Sequence, residues 1–326
     1  MDLINNLNNW KNKKILIIGE ALIDRYIFGS ADRISPDAPV PNVKISENQI
    51  HLGAIGLVLQ YVLSLGGRPE ICTVLGNDYE GEFFMKKINE LKISTSNILI
   101  DDKINTPQIT RIKATNQQLL RLETDYSGEI SLEIINEILS TIEAQSNTFD
   151  AIIILDYGVG LFSDALIQKI ITLLKESQIP IIARPSATNY YLYENVDLIK
   201  INLQKALNQF SIDCCTDTSV GIVGKRILNA SKCKSLFLHY LETDSYLFLK
   251  NQEKIEKIQS LLKEPVRSFV AVGSAIMAVL GLCYASNTPV STGVKIALYA
   301  AVLSATSPPV DFFNVERLKD FISSRI

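Results

Sequence analysis

Short continuous apolar runs constrain this chain most: Lys14 to Gly19 (KILIIG), Glu70 to Leu75, Ala151 to Leu155 (AIIIL), Pro180 to Ala183, Asp197 to Ile201 and Ser235 to His239. A run of this length without polar alternation is the pattern of a strand buried on both faces, as in a parallel sheet covered by helices. The segments between them carry the helical period. In Ser163 to Gln178, Ile167, Ile170, Ile171 and Leu174 fall on one stripe, with Ser163 placed to cap the N-terminus, and Ile135, Ile138, Leu139 and Ile142 form a second stripe. Strand, helix, strand in succession predicts right-handed βαβ units. The expected fold class is therefore α/β, a doubly wound, mostly parallel sheet with helices on both faces.

Two segments break that rhythm. Ile27 to Ile45 and Pro107 to Glu123 mix polar and apolar residues around prolines, glycines and asparagines, as edge strands of a small separate sheet would. They predict a β-sheet lid, built from residues 27–47 and 105–124, inserted in a single domain spanning residues 1–326. Later, Ala275 to Ala285 (AIMAVLGLCYA) and Gly293 to Ala305 are apolar on almost every face, which predicts buried helices, and an amphipathic helix from Val315 to Ile326 closes the chain.

A 326-residue chain with 47% hydrophobic residues can bury a large core. Its 32 basic and 35 acidic residues give a net charge of −3, without a Lys/Arg-rich block that would suit nucleic acid or a membrane surface. The N-terminus, MDLINNLNNWKNKK, lacks the apolar stretch of a signal peptide, and the apolar runs are too short to span a bilayer, so a cytoplasmic location is expected. Cys72, Cys214, Cys215, Cys233 and Cys283 form no CxxC pair, and with only His51 and His239 beside them neither a disulfide framework nor a zinc site is expected.

Several local patterns resemble the ribokinase-like (PfkB) carbohydrate kinases. Gly19-Glu20-Ala21-Leu22-Ile23-Asp24-Arg25-Tyr26 is similar to the first-strand motif of that family, whose aspartate bonds sugar hydroxyls. Arg33 to Pro41 (RISPDAPVP) resembles the lid motif of the bacterial heptose-7-phosphate kinases of ADP-heptose synthesis, and Asn116 to Leu122 (NQQLLRL) resembles a second motif of that subfamily. Gly76-Asn77-Asp78, and Asp156-Tyr157 with Gly160, are similar to two more. The resemblance covers almost the whole chain. It implies a ribokinase-like fold, ATP with Mg²⁺ as cofactors of an active member, and a lid that clasps a second subunit.

The phosphate chemistry departs from that pattern. The family's DxxGAGD-like loop before the buried helix reads Ser268 to Ser274 (SFVAVGS), so Ser274 stands at the position of the catalytic aspartate and Ser268 at that of the earlier one. A serine hydroxyl is no carboxylate base near neutral pH, and losing a positioned base costs roughly 10² to 10⁴ in rate. Ser274 is instead expected to be a helix N-cap. Ala271 replaces a glycine of the anion cradle, and the family's NxxE appears as Asn202-Leu203-Gln204-Lys205, a cation where the resemblance implies an organiser of Mg²⁺. Asp244 stands for the glycine of the nucleotide loop. On the sugar side the family asparagine is Leu57, its lysine is Val159, its Asp-Pro-Lys is Arg184-Pro185-Ser186, and the asparagine near adenine is Leu298.

No catalytic residue is therefore assigned. Asp24, Gly53, Asp156 and Arg184 are candidate remnants of a substrate site, and Asn202, Gly273 and Ser274 of a cofactor site. Asp24 either binds a polyol or bonds backbone at the end of its strand; Asp156 either faces a ligand or caps its loop; Arg184 either binds an anion or makes a surface salt bridge. The leading expectation is a pseudokinase without cofactor, acting by binding and by dimerising through its lid with itself or with an active paralogue. The alternatives are an active ATP- and Mg²⁺-dependent sugar or heptose-phosphate kinase with a rebuilt site, and a sugar or sugar-phosphate sensor.

Overall fold

A computed structural model describes residues 2–326 apart from Thr115, Asn116, Ala187 and Cys214, with only the backbone of Asp2 and Ser146. Asn116 of the second lid motif and Cys214 thus lie outside the described residues. The strands are β1 (Lys14–Gly19), β2 (Ile23–Ile34), β3 (Pro41–Leu52), β4 (Arg68–Gly76), β5 (Ile98–Asp101), β6 (Gln108–Ala114), β7 (Gln117–Thr124), β8 (Ala151–Leu155), β9 (Ile181–Arg184), β10 (Leu198–Asn202), β11 (Ser235–His239), β12 (Ser245–Leu249) and β13 (Glu256–Ile258).

The core sheet runs β13-β12-β11-β10-β9-β8-β1-β4-β5. From β11 to β5 every pairing is parallel, and only β12 and β13 add on antiparallel. Each apolar run splits its side chains between two cores. Ile15, Ile17, Ile153, Ile182, Leu198 and Phe237 go to one face, while Leu16, Ile18, Ile152, Ile154, Ile199 and Leu236 go to the other. This period-two division explains why the runs contain no polar alternation: both faces are covered by helices.

On the first face lies the Val272–Ala285 helix, packed against the Ile55–Ser64 and Val290–Thr306 helices and against β1, β8 and β9. Its all-round burial matches its all-round apolarity. The opposite face carries the Leu132–Gln145, Asp164–Leu174 and Asp217–Ser231 helices. Ser163 caps the second of these, accepting from the backbone N–H of Leu166 at 3.2 Å.

The lid is a separate sheet of order β3-β2-β6-β7. Its first two strands extend further than expected, over Ile23–Ile34 and Pro41–Leu52. Asp24 is consequently a lid residue near the start of β2, paired with His51 and Ile109, and does not end a core strand. Alternation along the lid strands puts Asp24, Tyr26, Ile109, Arg111, Arg121 and Glu123 on the face toward the core sheet, and Ile27, Ile112, Leu120 and Leu122 on the outer face.

In the core sheet, chain order runs one way from β1 to β4 and β5 and the other way from β8 to β11, so a topological switch lies between β1 and β8. The carboxyl ends of these parallel strands open into a crevice beneath the lid, the place where open α/β sheets bind ligands. Among the described residues no helix is long and apolar enough to cross a membrane.

Candidate functional site

The crevice encloses about 770 Å³ and is walled by the lid, by the loops after β8 to β11 and by the segment leading into the Val272–Ala285 helix. Its two ends differ in charge, and the difference follows from strand register. At the lid end, Asp24 is held in an ion pair by Arg111, whose guanidinium also lies 5.2 Å from the centre of the Tyr26 ring. Arg121 is paired with Glu123 in the same way. The lid therefore presents paired charges, and Asp24 meets a guanidinium where the family resemblance implied a free carboxylate for sugar hydroxyls.

At the sheet end, β10 and β11 pair Asn202 with His239 and Lys200 with Phe237, so Lys200, Asn202 and His239 share the face under the buried helix. Arg184 ends β9 beside them. Arg184, Lys200, Lys205 and His239 all line the crevice. Among the described residues none of the three cations has a carboxylate within salt-bridge distance. Arg184 donates to the carbonyl of Asp156 at 2.7 Å and lies 3.9 Å over the Tyr157 ring, so the surface salt bridge considered for it is not formed.

Lys200 is buried, and burial, with Arg184 and Lys205 adding repulsion, pushes its pKa down to about 7. His239 is 4% exposed, and among the described residues neither ring nitrogen has a hydrogen-bond partner. Burial and the Lys200 ammonium hold its imidazole well below the usual histidine range.

The expected phosphate loop is present in outline and altered in chemistry. Ala271 is the N-cap of the Val272–Ala285 helix, at φ 69° and ψ −9°, and among the described residues no side chain caps this end. A left-handed backbone favours glycine, and an alanine there costs about 1–2 kcal/mol. The register inferred from the sequence, with Ala271 at a glycine position, is thus visible as strain. Ser274 is the third residue of the helix and not its cap, and it is buried, 5% exposed. Gly273 lies beside Lys200, whose ammonium nitrogen would be 3.6 Å from an added Cβ. Ser268 makes a local turn, accepting from the backbone N–H of Val270 at 3.1 Å.

The remaining candidates hold structure. Asp156 does not line the crevice. It is buried, and its carboxylate accepts from the N–H of Gly158 at 2.9 Å, from Asn189 at 2.7 Å and from the Tyr193 hydroxyl at 2.9 Å, so of its two readings the loop brace is the one formed. Gly53 is also outside the lining; an added Cβ would collide with Leu22 Cδ2 and stand 2.8 Å from Asp24 Oδ2, so glycine lets both side chains at the start of the lid pack against this turn. Asn202 lines the crevice and caps the Leu203–Gln209 helix, accepting from the Lys205 N–H at 3.1 Å. Asp244 faces Lys257 at 3.3 Å and the Ser260 N–H at 3.2 Å, outside the crevice, so it does not repel a bound phosphate as expected. Leu57 and Val159 do line the crevice, apolar where the family's polar contacts belong.

Sequence reasoning missed Lys200, His239, Arg111 and Glu20. Glu20 is fully buried and accepts from the backbone N–H groups of Tyr157 at 2.6 Å and of Val159 and Leu161 at 3.1 Å each, fixing the loop that carries Tyr157 and Val159 into the crevice. Burial, with the Asp156 carboxylate nearby, pushes its pKa up to about 7 against those three donors. The signal available for Lys200 and His239 was a lone polar residue in an otherwise apolar strand, LIKIN and SLFLH.

The family description "pfkB family carbohydrate kinase" matches residues 12–315. The chain belongs to the pfkB carbohydrate kinase family. Curated relatives of this pfkB protein include the Bifunctional protein HldE of Geobacter sulfurreducens, 28% identical over 88% of this chain and 58% of the relative. Another is that of Campylobacter curvus, 29% identical over 94% of this chain and 65% of the relative. The chain thus spans about three-fifths of the length of the curated relatives it matches. Among solved structures, the fold matches Escherichia coli phosphofructokinase-2 in complex with substrates and products, with a TM-score of 0.77 at 13% identity, covering 96% of this chain and 99% of that one. It also matches Arabidopsis thaliana ribokinase complexed with ribose and ATP, with a TM-score of 0.76 at 12% identity, covering 95% and 99%. The ribokinase-like fold and the family resemblance read from the motifs both hold.

The residues present do not fit a nucleotide-bound Mg²⁺ at the helix end of the crevice. A divalent cation needs oxygen ligands, commonly carboxylates. This end offers Arg184, Lys200 and Lys205 in their place, and among the described residues no cluster of three acidic or metal-binding side chains exists.

Proposed function

We propose that this protein is a pfkB-fold pseudokinase, which binds a ligand or partner and does not transfer phosphate. One observation carries the reading: three cations without a carboxylate in salt-bridge distance among the described residues, and the Ser274 side chain, surround the helix mouth where a kinase needs a base and a metal organiser. The carboxylates lining the crevice are Asp24, Glu123 and Asp125, and the first two are held in ion pairs at the lid. Incubating the protein with ATP, Mg²⁺ and heptose 7-phosphate, and following ADP release, is expected to show no turnover above background. Turnover at rates ordinary for kinases, on the order of 1–100 s⁻¹, would establish the alternative of a rebuilt active site.

The lid supports the binding half of the proposal. Its outer face exposes Leu120 and Leu122 on β7, with Ile45 on β3 and Ile34 at the end of β2 also open to solvent. Large exposed apolar residues gathered on one sheet mark a surface that another protein covers. We infer that a second copy of this chain, or an active paralogue, occupies it. Analytical ultracentrifugation is expected to show a dimer for the unmodified protein and a monomer for the Leu120→Glu, Leu122→Glu double variant. A monomer at every concentration before mutation rules out the second copy and points to the paralogue.

A further inference from the structure

The misfit between a metal and the helix end of the crevice raises the question of what that end does accept. Arg184 and Lys200, on the adjacent strands β9 and β10, stand with Lys205 on the helix that follows β10, and none of the three has a carboxylate in salt-bridge distance among the described residues. A buried ammonium without an anionic partner is costly, and proteins hold such groups where a ligand supplies the missing charge. The same end is closed by the first turn of the 14-residue Val272–Ala285 helix, whose leading N–H groups lack a side-chain cap among the described residues. An independent observation points the same way: His239, almost wholly buried and lining the same crevice, has no partner for either ring nitrogen among the described residues.

We propose that Arg184, Lys200, Lys205 and His239, facing the uncapped helix turn, bind the phosphate of a phosphorylated ligand directly, without a divalent cation. Lys200 and Lys205 deliver neutralising charge to a phosphate from the protein itself. Arg184 is already oriented by the Asp156 carbonyl and the Tyr157 ring, so it loses little freedom on binding. The ligand class is a phosphomonoester or diphosphate. The rest of it extends toward the Asp24–Arg111 pair and the apolar Leu57 and Val159. This inference rests on the pseudokinase reading, since a cation cluster that binds phosphate without metal takes over the metal's place in transfer.

The test uses the full chain, with inorganic phosphate, pyrophosphate and ADP as separate probes, each titrated calorimetrically with EDTA and again with excess Mg²⁺. Pyrophosphate is expected to bind in EDTA, and Mg²⁺ to weaken it by competing for the same oxygens. Tighter binding of ADP than of pyrophosphate would show that the ligand is a nucleotide, and the reverse a sugar phosphate or free phosphate; both outcomes support the site. Lys205→Ala, an exposed position, is expected to weaken pyrophosphate by roughly ten- to a hundredfold, the worth of one charge-assisted hydrogen bond. Lys200→Met, which fills the same volume, should weaken it comparably while leaving the fold intact by circular dichroism. Failure of all three probes to bind in EDTA, with kinase turnover also absent, overturns the phosphate site and leaves the pseudokinase reading standing. Binding that requires Mg²⁺ and is accompanied by turnover overturns both.

Discussion

Ser274→Asp is expected to leave the protein at background turnover with ATP, Mg²⁺ and heptose 7-phosphate. The substitution places a carboxylate at the third residue of the buried helix, but the ammonium of Lys200 lies beside the adjoining Gly273, and Arg184 and Lys205 are close to it. The new group forms an ion pair there, and an ion-paired carboxylate is a weaker base than a free one. Lys205 continues to repel a divalent cation, and Ala271 keeps its Cβ in the cradle. A base contributes roughly 10² to 10⁴ and electrostatic stabilisation of the phosphoryl group contributes separately, so restoring one without the other leaves most of the deficit in place. The check is a coupled ADP assay on the single variant and on Ser274→Asp combined with Lys205→Glu and Lys200→Thr. A single variant that turns over would show that the cation cluster is no obstacle to transfer and would count against the proposed pseudokinase reading. Recovery confined to the combined variant is the result that agrees with it.

Glu20→Ala is expected to destabilise the fold by at least about 3 kcal/mol, because it strands three backbone N–H groups in the interior, each worth about 1–3 kcal/mol when left without an acceptor. Those donors belong to Tyr157, Val159 and Leu161, so the loss also loosens the crevice wall. The same residue sets a pH dependence. Its folded pKa, raised to about 7 from 4.5, means that between these values the native state holds more protons than the unfolded chain. Stability therefore falls as pH rises through that window. Urea unfolding at pH 5 and pH 8 measures the slope. Glu20→Gln should remove the Glu20 part of it, while costing less than alanine because an amide oxygen still accepts two of the three donors. An unchanged slope in the glutamine variant would mean that the carboxyl is ionised throughout.

How legible the protein was depends on which interactions make each feature. β1, β8 and β11 coincide with their apolar runs because a strand buried on both faces writes its length directly into hydrophobicity. The buried helix was legible for the same reason, and Ala271 could be placed at a glycine position because the helix behind it fixed the register. The lid's existence followed from its prolines and mixed polarity, but its reach did not. β2 begins at Ile23 in sequence that reads as core, so Asp24 changed sheets.

Side-chain roles were harder to read, since a polar residue's function depends on partners distant in the chain. Asp156 leaves a ligand contact and a loop cap both open until Asn189 and Tyr193 are found on it, and Arg184 leaves anion binding and a salt bridge both open until Tyr157 is found beneath it. Asp244 reads as a repellent for phosphate until Lys257 turns it aside.

Alone, the order of residues determined the two-layered helical covering, the parallel core, the presence of a lid and the absence of an acid at the helix mouth, since burial pattern and residue identity are local properties. Only the tertiary structure decided that Lys200, Lys205, Arg184 and His239 converge on one end of one crevice. Convergence is set by register between strands and by loops far apart in the chain, and no spacing along the sequence encodes it.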